Sequence, residues 1–583
     1  MENELQKLNF YEKNKEDELR FKTFEYLSNL IHKEDLYAEI AIQLKAAEIT
    51  IFNEKSNFNA KKAIQAFIQK LITSKNNYQN PNNKVFFSNQ LKEPVAKVLQ
   101  VVYQNYKKTN DKDYLKLAFQ LMEVNKNTAL LQGLQYLSFK NVAGIPKEVF
   151  EKEEALQEKI NNNYQYIHYY KNNALANEDS IRRLFQKQLV YEKEYTAFLH
   201  DVEKKYPNYA NAKKLTVIKD YSDFIENKIQ EDEVVLLYFM DASIWYRMEL
   251  SKKGVQLEQF KNATAISNQI RRLQNQIYQR QSITTLSNSL SESILPKFDA
   301  SIKRITIIAD DFLNVIPFEI LQVKNHFLFE SKAIRYAGSV QLLSKQMELQ
   351  SSQSNTNWVG FAPQYTTSKL PNNTKEVAQI QEIVGGKSYL ENQATKENFI
   401  AESSQSGILH LATHTELNQV NPMFNKMWFS STNKKQSLTA AEVYNLNIPA
   451  HLAVLSSCNT GFGKLEKSEG LMSMSRSFTY AGVSSTLMSM WKVPDKETSE
   501  IMVSFYKYLS LGKPKDEALQ LAKLEYLEKQ DDEALRHPYY WAGFIISGNV
   551  EALPTNQNTT IYFIFGVLLL GLGLFFLLKW KKS

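Results

Sequence analysis

The sequence predicts an α/β body built on a largely parallel sheet flanked by helices. An all-helical region precedes it, and one apolar C-terminal segment follows. Three observations carry this prediction. Apolar residues recur at three- and four-residue spacing through residues 1–229. From about residue 230, short continuously apolar runs alternate with helical patterns, as strands buried on both faces do. Finally, Ile561 to Leu578, IYFIFGVLLLGLGLFFLL, carries no charge and runs into Lys579-Trp580-Lys581-Lys582.

The helical region reads as LRFKTFEYLSNLI, YAEIAIQLKAAEITIF, KKAIQAFIQKLI, VAKVLQVVYQNYKK and DYLKLAFQLMEV. In the last of these, Leu115, Leu117, Ala118, Leu121 and Met122 lie largely on one side of a helix. Successive helices of this kind suggest stacked pairs of the tetratricopeptide (TPR) type. Glu151 to Tyr206 continues as long polar-faced helices and stops at Tyr206-Pro207-Asn208-Tyr209.

Seven strands are expected after that: 234–240, 304–309, 358–362, 408–412, 451–455, 485–490 and 541–546. Helices TKEVAQIQEIV, GLMSMSRSFTYAG, TSEIMVSFYKYL and KDEALQLAKLEYL fall between them. In a parallel sheet of this kind the chemistry sits at the carboxyl ends of the strands.

Composition narrows the function classes. Of 583 residues 43% are hydrophobic and 23% charged, which excludes a disordered chain and a polytopic membrane protein. Gly 18 and Pro 14 are scarce, which favours long helices. The single cysteine excludes an intrachain disulfide and any zinc site built on two or more cysteines. The 8 histidines show no ligand spacing beyond His410/His414, so no metal or cofactor is expected. A net charge of +7 without a basic cluster interleaved with aromatics gives no support for nucleic-acid binding.

The N-terminus is charged throughout and lacks the apolar core of a signal peptide. Residues 561–578 are long enough to reach the lower range of a bilayer span, and the Trp/Lys flank suits an interfacial anchor. A transmembrane helix is therefore expected there, behind a polar tether at 551–560. The expected location is a membrane, single-pass at the C-terminus. A cationic tail prefers the cytosol, which would place the body outside, yet no export signal is visible. The expectation adopted is a tail anchor with a cytoplasmic body.

Two residues sit where catalysis is expected. His414 follows the strand ILHLA, and Cys458 follows the strand HLAVL 44 residues later. One helical crossover fits that separation, so adjacent parallel strands would bring both to one sheet edge. A thiolate is the nucleophile, and a neighbouring imidazole can take the thiol proton and later protonate a leaving amine. Backbone N–H groups of the two strand-end loops would hold the developing oxyanion. Gly461 and Gly463 would give the loop a tight path. His410 lies inside the apolar strand and reads as a core histidine, while His537 shapes the entry to the last strand.

Read in order, LHLATH (409–414), LSSCNTG (455–461), SEGL (468–471) with Arg476-Ser477-Phe478 and Ala481-Gly482, MWKVPD (490–495) and YWAGF (540–544) resemble the CHAT family. These are caspase-like domains associated with tetratricopeptide repeats and related to separases. The resemblance covers about 205–550, with Tyr206-Pro207-Asn208-Tyr209 and IPFEIL (316–321) as earlier pieces. It implies a caspase-like fold with a non-catalytic half at 230–355 and a catalytic half at 356–550. His414 would be the general acid/base and Cys458 the nucleophile, with the N–H groups of Thr415 and Cys458 as the oxyanion hole. The family usually has glycine where Thr415 stands, and a β-branched residue restricts the backbone there. Asp495 matches an acidic position that separase-like enzymes use near the P1 pocket. Its alternative reading is a helix cap, with Thr498 beyond it. Glu469 is a second acidic candidate for the P1 pocket, though a structural, loop-ordering role is the favoured reading.

The expected function is thus a membrane-tethered cysteine endopeptidase acting on a protein substrate, with a regulatory protein bound to the helical region. The alternatives are a non-enzymatic scaffold on a degenerate protease fold, for which Thr415 speaks, and an acyl-transfer hydrolase using the same dyad.

Overall fold

The structure is a computed structural model. It describes residues 60–77, 88–140 except 90, parts of 146–206, and 220–554 apart from 242–243, 261, 352–354, 366–369, 419–421, 431–435, 458–459 and 462. The first two expected helices, the stop at 207–209, most of the tether and the segment 561–578 lie outside the described residues.

The helical region contains α1 (Ala60–Asn77), α2 (Lys92–Thr109), α3 (Asp113–Val124), α4 (Thr128–Lys140) and α5 (Glu178–Lys205). Strands β1 (Glu233–Met240), β2 (Trp245–Ser251) and β3 (Gly254–Phe260) follow, then α6 (Ala263–Tyr278) and α7 (Thr284–Ile294). Next come β4 (Arg304–Ile308), the short pair β5 (Gln322–Val323) and β6 (His326–Phe327), β7 (Ala333–Tyr336) and α8 (Val340–Ser351). The second half holds β8 (Trp358–Pro363), α9 (Asn373–Val384), β9 (Lys387–Glu391) and β10 (Ile408–Leu411). A small antiparallel sheet, β11 (His414–Glu416), β12 (Lys426–Phe429) and β13 (Gln436–Thr439), precedes β14 (Leu452–Val454). The hairpin β15 (Gly463–Glu466) and β16 (Gly470–Ser473) leads into α10 (Met474–Tyr480). The last described elements are β17 (Ser485–Ser489), α11 (Asp495–Ser510), α12 (Lys515–Glu528) and β18 (Phe544–Gly548).

One 11-stranded sheet runs in the order β3-β2-β1-β4-β7-β18-β17-β14-β10-β8-β9. It is mostly parallel, as expected, but in two blocks. β1, β4, β7 and β18 run one way. β17, β14, β10, β8 and β9 run the other. The antiparallel β17–β18 pair is the seam. The two blocks therefore present their carboxyl ends at opposite edges, and only the second block places its strand ends near His414.

β1 shows why its sequence is apolar without a break. Val234, Leu236, Tyr238 and Met240 enter one core with α6 and α7. Val235, Leu237 and Phe239 enter another with α1, α2 and α3. Alternate side chains point to opposite faces, so a strand covered on both sides needs no polar residues. The same sandwich explains α3. Tyr114 and Phe119 are buried beside the expected apolar set, because α3 lies between its helical neighbours and the sheet.

Two expected elements change. Residues 541–546 do not form a single strand. His537 accepts a hydrogen bond from the Tyr539 N–H at 3.2 Å, and Pro538 opens a short helix, Pro538–Trp541, so the strand starts at Phe544. Residues 470–473 are not helical, because they pair with β15 across the turn that Gly470 makes at φ 72°.

The membrane placement is corrected as well. No helix among the described residues is long and apolar enough to cross a membrane. This overturns the expected single-pass location, and no span is assigned to 561–578, which lies outside the described residues.

A pH prediction arises at the foot of β14. His451 is buried, and neither ring nitrogen has a hydrogen-bond partner among the described residues. Burial first, then the Lys515 charge, lowers its pKa from 6.5 to about 4. Between those values the unfolded chain binds a proton that the folded chain refuses. This contribution to stability is complete above pH 6.5 and is lost as the pH falls toward 4. His451→Leu is expected to flatten the drop in melting temperature across that window, measured by thermal denaturation.

Candidate active site

His414 stands at the start of β11, just beyond the carboxyl end of β10, and is half-buried. Its backbone N–H donates to the Tyr365 hydroxyl at 2.9 Å, and that hydroxyl donates to the Trp428 carbonyl at 2.7 Å. The Tyr365 ring lies 4.5 Å from the imidazole, centroid to centroid. Thr415, the next residue, pairs with Met427 in β12. Its hydroxyl is buried without a hydrogen-bond partner among the described residues.

Cys458 lies outside the described residues, and the chain on either side of it is held tightly. β10 and β14 are adjacent and parallel, with Ile408 opposite Leu452, Leu409 opposite Ala453 and His410 opposite Val454. That register continues past the strands. The Ser457 hydroxyl donates to the Thr413 carbonyl at 2.5 Å, and the Thr413 N–H donates to the Ser457 hydroxyl at 3.2 Å. On the other side, Ser489 at the end of β17 pins the loop. Its hydroxyl donates to the Ser457 carbonyl and accepts from the Thr460 N–H at 3.2 Å, while its own carbonyl accepts from Gly461 at 2.8 Å.

Gly461 and Gly463 are required by close approach, not by unusual dihedral angles. A Cβ on Gly461 would come 2.9 Å from Met488, and one on Gly463 would come 2.2 Å from the Met472 carbonyl.

A polar knot lies beneath this edge. His410 is fully buried, and its Nε2 is 2.8 Å from Glu376 on α9. Glu376 also accepts from the Ser456 hydroxyl at 2.7 Å. The knot ties β10, α9 and the residue two before Cys458 together. Sequence reading identified His410 as a core residue but gave no sign of its acidic partner.

The two acidic candidates separate. Asp495 is the first residue of α11, and Pro494 holds the cap position, so Asp495 does not cap its own helix. Its Oδ2 accepts from both the backbone N–H and the side-chain amide of Asn372, at 2.9 and 2.8 Å. It thus joins the loop after β17 to the loop after β8. Glu469 has the surroundings of a loop-ordering residue. It is 1% exposed; one oxygen accepts from the Thr128 hydroxyl and the Ala129 N–H at 3.0 and 3.1 Å, and the other pairs with Arg476. Both carboxylate oxygens are committed, so Glu469 orders the hairpin and holds the start of α4.

Glu469 belongs to a larger clamp that sequence reasoning missed. The tip of the β15–β16 hairpin, residues 466–470, is gripped by the helical region. The Asn89 amide donates to Glu466 at 2.7 Å and accepts from the Ser468 N–H at 3.1 Å. Lys92 donates to the Lys467 carbonyl at 2.8 Å and pairs with Asp310 at 3.0 Å. The Asn127 N–H donates to the Ser468 carbonyl at 2.9 Å, and the Asn127 side chain accepts from Arg476 at 2.6 Å. Burial works against the Asp310 carboxylate, but the Lys126 and Lys92 charges outweigh it and hold its pKa below the usual range. Beneath the hairpin, Asn127, Gly461, Glu469 and Arg476 line a cavity of about 110 Å³.

The chain is 25% identical over 299 residues to human tetratricopeptide repeat protein 28, a match that takes in 42% of this chain and 12% of that protein. The chain thus spans about an eighth of the curated relative's length. Among solved structures, it is similar to the separase of the Saccharomyces cerevisiae separase–securin complex, at 10% identity and TM-score 0.40, over 91% of this chain and 51% of that one. It is also similar to the Arg-specific cysteine proteinase gingipain R, at 9% identity and TM-score 0.34, over 50% of this chain and 75% of that one. Residues 280–549 match the family model of the CHAT domain, the family that the ordered motifs around His414 and Cys458 resemble.

Proposed function

We propose that the CHAT domain of this chain is a caspase-like cysteine endopeptidase with Cys458 as nucleophile and His414 as general acid/base. One observation carries the reading: Thr413 and Ser457 are hydrogen-bonded in register across β10 and β14, and the next residue on each chain is His414 and Cys458. Successive Cα atoms are about 3.8 Å apart, so the register supports neighbouring positions for the dyad.

In the proposed reaction the Cys458 thiolate attacks the scissile carbonyl after His414 takes the thiol proton. The oxyanion is held by the N–H groups of Thr415 and Cys458. Collapse of the tetrahedral intermediate expels the amine, protonated by His414, and water then hydrolyses the thioester. The bridge from Asp495 to Asn372 ties together two loops that follow strands of the catalytic block. This supports a P1 pocket between them, with Asp495 selecting an Arg or Lys side chain by charge pairing. The clamp on residues 466–470 supports a regulatory role for the helical region. A protein bound to α1–α4 would act on the hairpin that begins five residues after Cys458.

The test is digestion of fluorogenic peptides varied at P1, with Cys458→Ala as control. Cysteine-dependent cleavage after Arg or Lys is expected, and Asp495→Asn is expected to lower kcat/KM on those peptides at least tenfold, on the order of one lost charge-assisted contact. Cysteine-dependent cleavage unaffected by Asp495→Asn would discard the pocket. Turnover of esters without any peptide cleavage would favour an acyl-transfer hydrolase.

A further inference from the structure

We propose that Tyr365 is a positioning residue for His414, fixing the imidazole through its ring and fixing the backbone through its hydroxyl. The inference rests on His414 being the general acid/base. Three observations support it independently of any family pattern. Tyr365 follows β8, the strand beside β10, so it comes from a different segment than the residue it holds. His414 and Trp428 stand directly opposite each other in β11 and β12. A single hydroxyl joins both backbones, accepting from one at 2.9 Å and donating to the other at 2.7 Å.

The chemistry of this hydroxyl suits a fixed strut. Tyr365 is 8% exposed, and burial raises its pKa far above the ordinary value, so the hydroxyl keeps its proton at any working pH. It can therefore donate and accept at once. The ring contact at 4.5 Å restricts the imidazole on the side from which Tyr365 approaches. A general base misplaced by about 1 Å can lose roughly 100-fold in rate, so a strut of this kind matters more to the reaction than to stability.

The experiment compares the full chain with Tyr365→Phe, Tyr365→Leu and His414→Ala. The rate of Cys458 alkylation by iodoacetamide is measured against pH, with melting temperatures and amide hydrogen exchange at His414 alongside. In the parent protein the His414 amide is expected to exchange slowly, and in Tyr365→Phe quickly. Tyr365→Phe keeps the ring and is expected to melt within a few degrees of the parent. It is expected to slow alkylation about tenfold at pH 6.5 and to move the pH profile part of the way toward that of His414→Ala. Tyr365→Leu, which removes the ring as well, is expected to move it further. If His414→Ala differs from the parent while Tyr365→Phe matches the parent in profile and exchange, the role of Tyr365 is overturned and the dyad stands. If His414→Ala matches the parent, the dyad fails and this proposal fails with it.

Discussion

Cys458→Ala is expected to abolish cleavage of any peptide that the parent protein cuts, and His414→Ala to lower kcat/KM by about 100- to 10,000-fold. The first removes the only thiol in the chain. The second removes the proton acceptor, and general acid–base groups contribute on that order. The losses are not additive, because two residues acting as one unit fail together: the double variant should be no slower than Cys458→Ala. His414→Ala should melt close to the parent, since His414 is half-buried at an edge and forms no part of the three large cores. Steady-state kinetics beside thermal melts check each point.

Arg476→Met is expected to destabilise the protein by about 3–5 kcal/mol, the usual cost of leaving a buried charge without its partner. Arg476 and Glu469 are both buried and paired, and Arg476 also bonds Asn127 of the helical region. Removing the guanidinium leaves the buried Glu469 carboxylate in the hairpin turn without its counter-charge. Glu469→Gln should cost less, because a neutral amide can still accept from Thr128 and Ala129. The double variant Arg476→Met/Glu469→Gln should recover part of the loss. Denaturant unfolding of the three variants tests this. Equal losses for Arg476→Met and Glu469→Gln, with no recovery in the double variant, would show that packing and not the charge pair holds this seam.

Much of this architecture is written in the sequence, for physical reasons that particular elements show. The apolar run of β1 announces a strand covered on both faces, and the structure supplies a core on each side. The 44-residue spacing of His414 and Cys458 equals the offset between β10 and β14, so the two strand ends could be paired from the sequence alone. Strand direction was not legible. Nothing in FIISG says that β18 runs antiparallel to β17, because the side-chain pattern of a strand reads the same either way. The β2–β3 hairpin is not among the seven expected strands, although Gly254 marks its turn and the face of β3 away from the core is exposed. Tyr365, Glu376 and the hairpin clamp were hidden for a different reason. Their partners lie 34 to 379 residues away, and single side-chain hydrogen bonds across such distances leave no periodic trace.

The most direct test of the central claim is the reactivity of Cys458 itself. Alkylation of the native full chain by iodoacetamide is followed from pH 5 to 9, with His414→Ala beside it. A thiol activated by His414 reacts well below the ordinary thiol pKa of about 8.5, and the variant returns to ordinary behaviour. The account predicts that pair of profiles. Two superimposed curves, each rising only near the ordinary thiol pKa, would contradict it and favour the scaffold reading.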